Sequence, residues 1–248
     1  MNLLNKDINN FLNYFAEECF LIQADGDYII ARLSFRLNLY SQFQWSSLQA
    51  IEKYIKAILL FNRINSKSMR HNLLEGLKLI NKLDFVNLSK VTTSTIEHFN
   101  IYGNNRYFTN PYFEDGLRLF NLDFTVWELR RYCRSLDPKF THEDDKKIEK
   151  NLKVLAESNF QNPRSGYLEY GNLEKIIKDK KNPARKYLVW HNPFFRSNFR
   201  RTVKVPNLWI AKNSPLSNYP EYADILSEYV QISKEELSAY KLHSIKKK

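Results

Sequence analysis

His71 stands in a run of groups that suit a phosphate. Arg63, Lys67 and Arg70 precede it within eight positions, and Asn72 follows. A guanidinium bonds two phosphate oxygens at once, and an imidazole exchanges a proton near neutral pH. The run precedes an apolar helical pattern, and a helix start favours anions. Two readings stay open for it. In one, Lys67, Arg70, His71 and Asn72 bind an anion or nucleotide, with His71 and Arg63 as candidate acid–base and cationic groups. In the other, a His-Asn pair caps free amides and packs between helices. A second Arg–His set, Arg185 and His191, lies six positions apart. A third segment, His191–Arg201, interleaves Phe194, Phe195 and Phe199 with Arg196, Arg200 and Arg201. Aromatics stack on bases while arginines take phosphates. The plainer reading is that these phenylalanines pack a C-terminal lobe onto the rest of the chain.

Other chemistries find no support in residue spacing. The two cysteines, Cys19 and Cys133, form no CxxC pair, so a zinc ribbon, a thioredoxin-like motif and a disulfide scaffold are disfavoured. The carboxylates of Glu143-Asp144-Asp145 sit among lysines and read as a helix start with Thr141 as cap. No Gly-rich phosphate loop, HExxH or Ser-His-Asp order occurs. The expectation is no metal and no cofactor.

The charge is uneven. The chain of 248 residues carries a net +11. Residues 161–212 hold 12 Lys and Arg against 3 Asp and Glu, whereas residues 213–240 hold 1 against 5. A basic excess confined to one segment suits a surface facing RNA, DNA or a nucleotide, or is simply a solvated face. The longest strongly apolar run, Ile55–Phe61, is far short of a membrane span, and no signal peptide opens the chain. A cytoplasmic protein with no membrane partner is expected.

The elements that must position these groups are mostly helical up to residue 160. Asp27 is placed to cap a helix beginning near Tyr28. From Phe43 to Asn62, Leu48, Ile51, Ile55, Ile58 and Leu59 form one apolar stripe, with Glu52 and Lys56 paired on its surface. The polar stretch Arg63–Arg70 breaks the pattern. Leu73, Leu74, Leu77 and Ile80 start a third helix, and Thr95–Phe99 continues helical structure. Tyr102–Arg106 reads as a turn in which Gly103 and the asparagines tolerate positive φ. Asn121–Leu136 is a further helix, with Leu122, Val126, Leu129 and Cys133 inward and Pro138 ending it. After residue 160, prolines and glycines punctuate short runs. Tyr187–Trp190, Val203–Val205 and Leu208–Ile210 read as strands. Amphipathic helices are expected near Tyr222–Val230 and Lys234–Leu242. These readings divide the chain into a helical bundle over residues 1–155 and a small basic α+β extension over 156–248, packed on the bundle.

Several of these segments resemble one family. Asp25-Gly-Asp-Tyr-Ile-Ile-Ala-Arg-Leu and Gln49-Ala-Ile-Glu-Lys-Tyr-Ile-Lys-Ala-Ile-Leu-Leu60 look like the two long helices of the HEPN superfamily. Lys67-Ser-Met-Arg-His71-Asn-Leu resembles its Lys-x-x-Gly-His-Asp-Leu signature, with Arg70 in place of Gly and Asn72 in place of Asp. Tyr102–Tyr107 and Leu122–Cys133 resemble pieces of prokaryotic members. The resemblance covers about residues 25–135, and nothing after residue 160 adds to it. It implies an antiparallel bundle of four or five helices, commonly dimeric. Many members are metal-independent endoribonucleases of toxin or phage-defence systems, with a catalytic Arg-x(4–6)-His on a late helix. Others are assigned only to nucleotide or protein binding.

Of the five histidines, only His191 has an arginine at the required distance, Arg185. With 14 arginines in the chain, about one such match is what chance gives. Its strand-like setting also differs from a bundle helix. The reading is therefore a HEPN-type protein, in a defence or stress system, that binds RNA, a nucleotide or a partner protein without strong ribonuclease activity. The alternative is an endoribonuclease with a non-standard pair. A homodimer is expected from the resemblance and from Phe35, Tyr40, Phe43, Trp45, Tyr54 and Phe61, which ring more than one helix face. A monomer in light scattering at micromolar protein rules that out.

Overall fold

The computed structural model of the chain describes residues 3–105, 108–134, 136, 145–156, 166–169, 171–196, 204–230, 232 and 234–246. Helices dominate. The first, α1 (Leu3–Phe15), runs through a π-helical stretch, Ala16–Leu21, into α2 (Ile22–Arg36). The helix expected to begin near Tyr28 thus begins earlier, and Asp27 lies inside it. Its carboxylate pairs with Lys53 instead of capping. The reason is tertiary: Asp25, Tyr28 and Arg32, on one face of α2, all have buried partners elsewhere, and those interactions outweigh the capping preference of an aspartate.

Helix α3 (Tyr40–Phe61) is the centre of the molecule. Its stripe of Leu48, Ile51, Ile55, Ile58 and Leu59 is wholly buried, each side chain contributing roughly 1.5–3 kcal/mol. α2, α4 (Leu73–Ile80), α5 (Lys90–Tyr102) and α6 (Gly116–Tyr132) surround it. The expected surface pair is present, Lys56 Nζ to Glu52 Oε1 at 2.6 Å. The aromatic faces that suggested a second partner are largely covered within this chain: Phe35, Tyr40, Phe43, Tyr54 and Phe61 are buried, and Trp45 is half-buried against the same core. They therefore say nothing of a dimer.

Helix ends follow local chemistry. α2 and α3 both stop in Schellman turns, with Asn38 (φ 60°) and Arg63 (φ 56°) in the left-handed position and Leu39 and Ile64 bonding back to Ser34 and Leu59. Ser89 and Asp115 cap α5 and α6 through the amides of Thr92 and Arg118. Gly103 ends α5 with φ −64°, so the expected positive φ is not used. Its glycine is needed for room: a Cβ there would stand 2.5 Å from the Phe99 carbonyl oxygen and 2.6 Å from Leu48 Cβ. α6 stops at Tyr132, ahead of Pro138, which lies outside the described residues with Thr141, Glu143 and Asp144. Leu122, Val126, Leu129 and Cys133 point inward as expected.

The C-terminal part adds α7 (Asp145–Ala156), α8 (Asn172–Lys178), a single turn α9 (Arg185–Leu188) and the strand β2 (Trp209–Lys212). β2 pairs antiparallel with β1 (Tyr112–Asp115), with Glu114 opposite Ile210. The strand expected at Tyr187–Trp190 is instead α9 and its following turn, and Lys204 and Val205 have no regular structure. Arg32 explains the first change. It donates to the carbonyls of Tyr187 and Trp190, which curls the segment against α2 and leaves no straight strand. The chain ends with α10 (Pro215–Asn218), α11 (Ala223–Ser227) and α12 (Lys234–Lys246). Among the described residues, no helix is long and apolar enough to cross a membrane.

Candidate functional site

The turn between α3 and α4 carries the residues singled out first. One turn of 3-10 helix, Lys67–Met69, buries Met69 and leaves Lys67 exposed. Arg70 follows with φ 46° and ψ −105°, a conformation that favours glycine. The signature it resembles has glycine at this place; here an arginine takes the glycine-favouring backbone and its side chain is exposed. Asn72 is the N-cap of α4, its Oδ1 accepting from Leu74 N at 2.9 Å and Glu75 N at 3.3 Å. Leu73 N donates to Asn100 Oδ1 at 2.8 Å. The first three amides of α4 are therefore occupied, and an anion here meets side chains rather than a helix end.

His71 lies on top of this turn. Its Nδ1 is 3.2 Å from both carboxylate oxygens of Glu52, while its side chain is 77% exposed. A carboxylate only accepts, so this arrangement puts the ring proton on Nδ1 and leaves Nε2 for an outside partner. Glu52 is itself buried and held by Lys56. Arg63 turns the other way. It donates to Asn9 Oδ1 (3.1 Å), Asn9 O (3.0 Å), Asn13 Oδ1 (2.9 Å) and Leu60 O (2.6 Å), clamping α1 to the end of α3. Burial lowers its pKa. The turn thus groups Lys67, Arg70 and His71 and assigns Arg63 and Asn72 to the scaffold.

Arg185 and His191 are also built into the fold. Arg185 opens α9 and donates from Nε to Ile177 O at 2.9 Å. His191 sits in a left-handed turn (φ 50°), its ring edge-on to Trp190. Burial lowers the imidazole pKa, and the cations of Arg32, Lys204 and Arg36 lower it further. The strand-like setting expected for this pair does not exist, since the chain is helical at one and sharply turned at the other. In the aromatic-basic segment, Phe194 and Phe195 are buried, stacked on Trp127 and Tyr167. The backbone N and O of Arg196 both bond the Tyr167 hydroxyl, at 3.1 and 2.9 Å. Phe199, Arg200 and Arg201 lie outside the described residues.

Three buried polar clusters were not anticipated. Arg130 bonds Asp25 and Glu174, and Asp25 also accepts from Tyr54 at 2.6 Å. Burial raises the Asp25 carboxyl, with Arg130 and Tyr54 pulling it back. At Glu174 burial also acts upward, but Arg130 and the Leu168 amide win and lower it. Asp123 takes Arg32 and the Tyr28 hydroxyl, which in turn accepts from Asn192 Nδ2 at 2.8 Å. The signal for both clusters was in the sequence as polar residues seven apart: Asp25 and Arg32 on α2, Asp123 and Arg130 on α6. The third cluster surrounds Glu114, which is 0% exposed. Gln44 Nε2 donates to its Oε1 at 2.6 Å. His98 Nε2 and Arg118 Nε stand 3.8 and 3.7 Å from its oxygens, close by but beyond direct hydrogen bonding. Here the fold brings a histidine and an arginine together from separate elements. Among the described residues, no group of three or more His, Cys, Asp or Glu side chains could hold a metal ion.

The central α3, sheathed by α2, α4, α5 and α6, with a capped polar turn at one end, defines an α-helical bundle domain. Residues 18–133 match the family model of the HEPN domain, and the chain carries a HEPN domain there. That family is associated with RNA binding or ribonuclease activity. No curated protein and no solved structure matches the chain.

Proposed function

We propose that this HEPN domain binds RNA through Lys67, Arg70 and His71 and does not cut it through the family's Arg–His spacing. The observation that supports the reading is the α3–α4 turn. It exposes two cations and an imidazole on a backbone fixed by Asn72, Asn100 and Glu52, with the helix amides already engaged. The basic excess over residues 161–212 favours an extended polyanion over a single nucleotide. Arg63 and Arg185, the arginines that the sequence offered as partners of His71 and His191, serve the scaffold.

The test is anisotropy of labelled structured RNA and tRNA in chelator across a salt series, with gels of the same mixtures. Lys67→Ala with Arg70→Ala should weaken binding and reduce the salt slope by about 0.7–0.9 for each phosphate that the variant no longer neutralises, with the RNA intact throughout. Unchanged affinity and slope overturn the site. Cleavage abolished by His71→Ala or His191→Ala overturns the non-cutting part. A second reading, cleavage by a non-standard pair, draws on His98 and Arg118 meeting at Glu114. The burial of Glu114 obliges β1 to open before RNA touches it, and cleavage abolished by His98→Gln alone would support it.

A further inference from the structure

Lys53, Lys56 and Lys78 in the bundle each hold a carboxylate, as does Lys241 near the end of the chain. Residues 175–212 are different. They hold 11 Lys and Arg against one acid, Asp179. Lys175 and Lys178 stand on the outer side of α8, and Lys180 and Lys181 follow in the loop to α9. All four are exposed, and none is paired with a carboxylate of the described residues.

α9 carries this surface to the end of α2. Arg185 Nε donates to Ile177 O at 2.9 Å, which sets α9 against α8. Lys186 lies over the Tyr187 ring, 4.8 Å from its centroid. Arg36, the last residue of α2, lies over both Tyr187 and Trp190, at 5.7 and 5.4 Å. An aromatic ring fixes a cation without neutralising it, so both charges stay available to an outside anion. His191 reports the resulting field. Burial holds its imidazole below the ordinary pKa, and the cations of Arg32, Lys204 and Arg36 lower it further. That positive field persists although Asp123 already engages Arg32.

The arrangement selects among anions. Its cations extend over α8, α9 and the end of α2 to Lys204, more than a single phosphate engages. Interfaces between proteins deplete lysine at their centres, and here Arg36 and Lys186 cover the rings that would anchor a peptide. His191 is half-buried beside Trp190, within reach of a nucleic-acid strand and recessed from a flat layer of lipid headgroups. We propose that Arg36, Lys186 and Lys204, continued by the lysines of α8 and its loop, bind the phosphate backbone of RNA. This is a second site. α2 ends close to where α3 begins, whereas the α3–α4 turn lies past the other end of α3, and the 22 residues of that helix span roughly 33 Å. The inference goes beyond the turn and stands without it.

The probe is labelled tRNA, titrated into the full chain in chelator across a salt series. Arg36→Gln with Lys186→Gln and Lys204→Gln should weaken binding about tenfold or more and reduce the salt slope by about 2. Lys178→Gln with Lys180→Gln and Lys181→Gln, all at exposed positions, should weaken it in the same direction. The control, Lys82→Gln with Lys90→Gln and Lys234→Gln, removes the same charge from exposed positions elsewhere and should bind as the parent does. Circular dichroism confirms that the variants fold. Losses no greater in the first two variants than in the control overturn the inference. So does association with anionic lipid vesicles that the first variant abolishes while RNA binding stays unchanged, which would make a membrane the occupant. Lys67→Ala with Arg70→Ala separates this site from the turn. If that variant alone abolishes RNA binding, the turn stands and this site falls. If it binds as the parent does while the first variant fails to bind, this site stands and the turn falls. Absence of binding by the parent at low salt overturns both.

Discussion

Arg130 on α6 and Glu174 on α8 form a two-armed ion pair, Nη1 to Oε1 at 2.7 Å and Nη2 to Oε2 at 3.0 Å. Arg130 is wholly buried, and its Nε and Nη2 reach Asp25 on α2, each at 3.0 Å. Asp25 and Arg130 lie within the HEPN match and Glu174 beyond it. The residues after the match therefore supply a charge to the interior of the domain.

That arrangement ranks two substitutions. Arg130→Met leaves Asp25 and Glu174 buried without their cation and should cost roughly 3–5 kcal/mol. Glu174→Gln leaves Arg130 with Asp25, so the charges still balance, and the destabilisation should be nearer about 1–2 kcal/mol. Urea unfolding followed by circular dichroism measures both. Equal costs would show that Asp25 alone does not neutralise the arginine.

The bundle's helices were legible because α3 buries an unbroken apolar stripe and α4 opens with an asparagine cap, both local patterns. What escaped depends on distant partners. Tyr187-Leu-Val-Trp190 has the composition of a strand, yet Arg32 takes two of its carbonyls and bends it. β1 reads poorly because its partner strand comes after α9, far along the chain. At the site, Lys67, Arg70 and His71 stood out by type and spacing. The diversion of Arg63 to α1 did not, since it follows from where Asn9 and Asn13 arrive in space. The Glu114 cluster draws single polar residues from α3, α5, β1 and α6, and no spacing within one element announces it.

Arg70 offers a second comparison. A non-glycine residue at φ 46° and ψ −105° is strained. Arg70→Gly relieves the strain but frees the unfolded chain, so the net gain should be about 1 kcal/mol. Arg70→Ala keeps the strain and should bring no such gain. Both remove the guanidinium and should weaken RNA binding alike. Thermal melts beside RNA titrations separate the two effects. A glycine variant no more stable than the alanine variant would mean that the turn relaxes around arginine without cost.

His191 makes stability depend on pH in a predictable direction. Burial and the nearby cations of Arg32 and Arg36 on α2 and of Lys204 hold its imidazole pKa below the ordinary 6.5. The folded chain therefore binds this proton less readily than the unfolded chain does. Unfolding takes up a proton once the pH falls below the unfolded value, so stability present at about pH 7.5 should decline as the pH approaches about 5.5. Asparagine tolerates the left-handed backbone at this position and does not titrate. His191→Asn should therefore flatten the decline while leaving the fold at the higher pH in place. Arg36→Gln, which removes one of the repelling cations, should flatten it in part. The measurement is the urea midpoint of the three proteins at about pH 7.5, 6.5 and 5.5. Parallel declines in the parent and His191→Asn would show that the dependence arises from other groups and that the imidazole takes up its proton alike in the folded and unfolded chain.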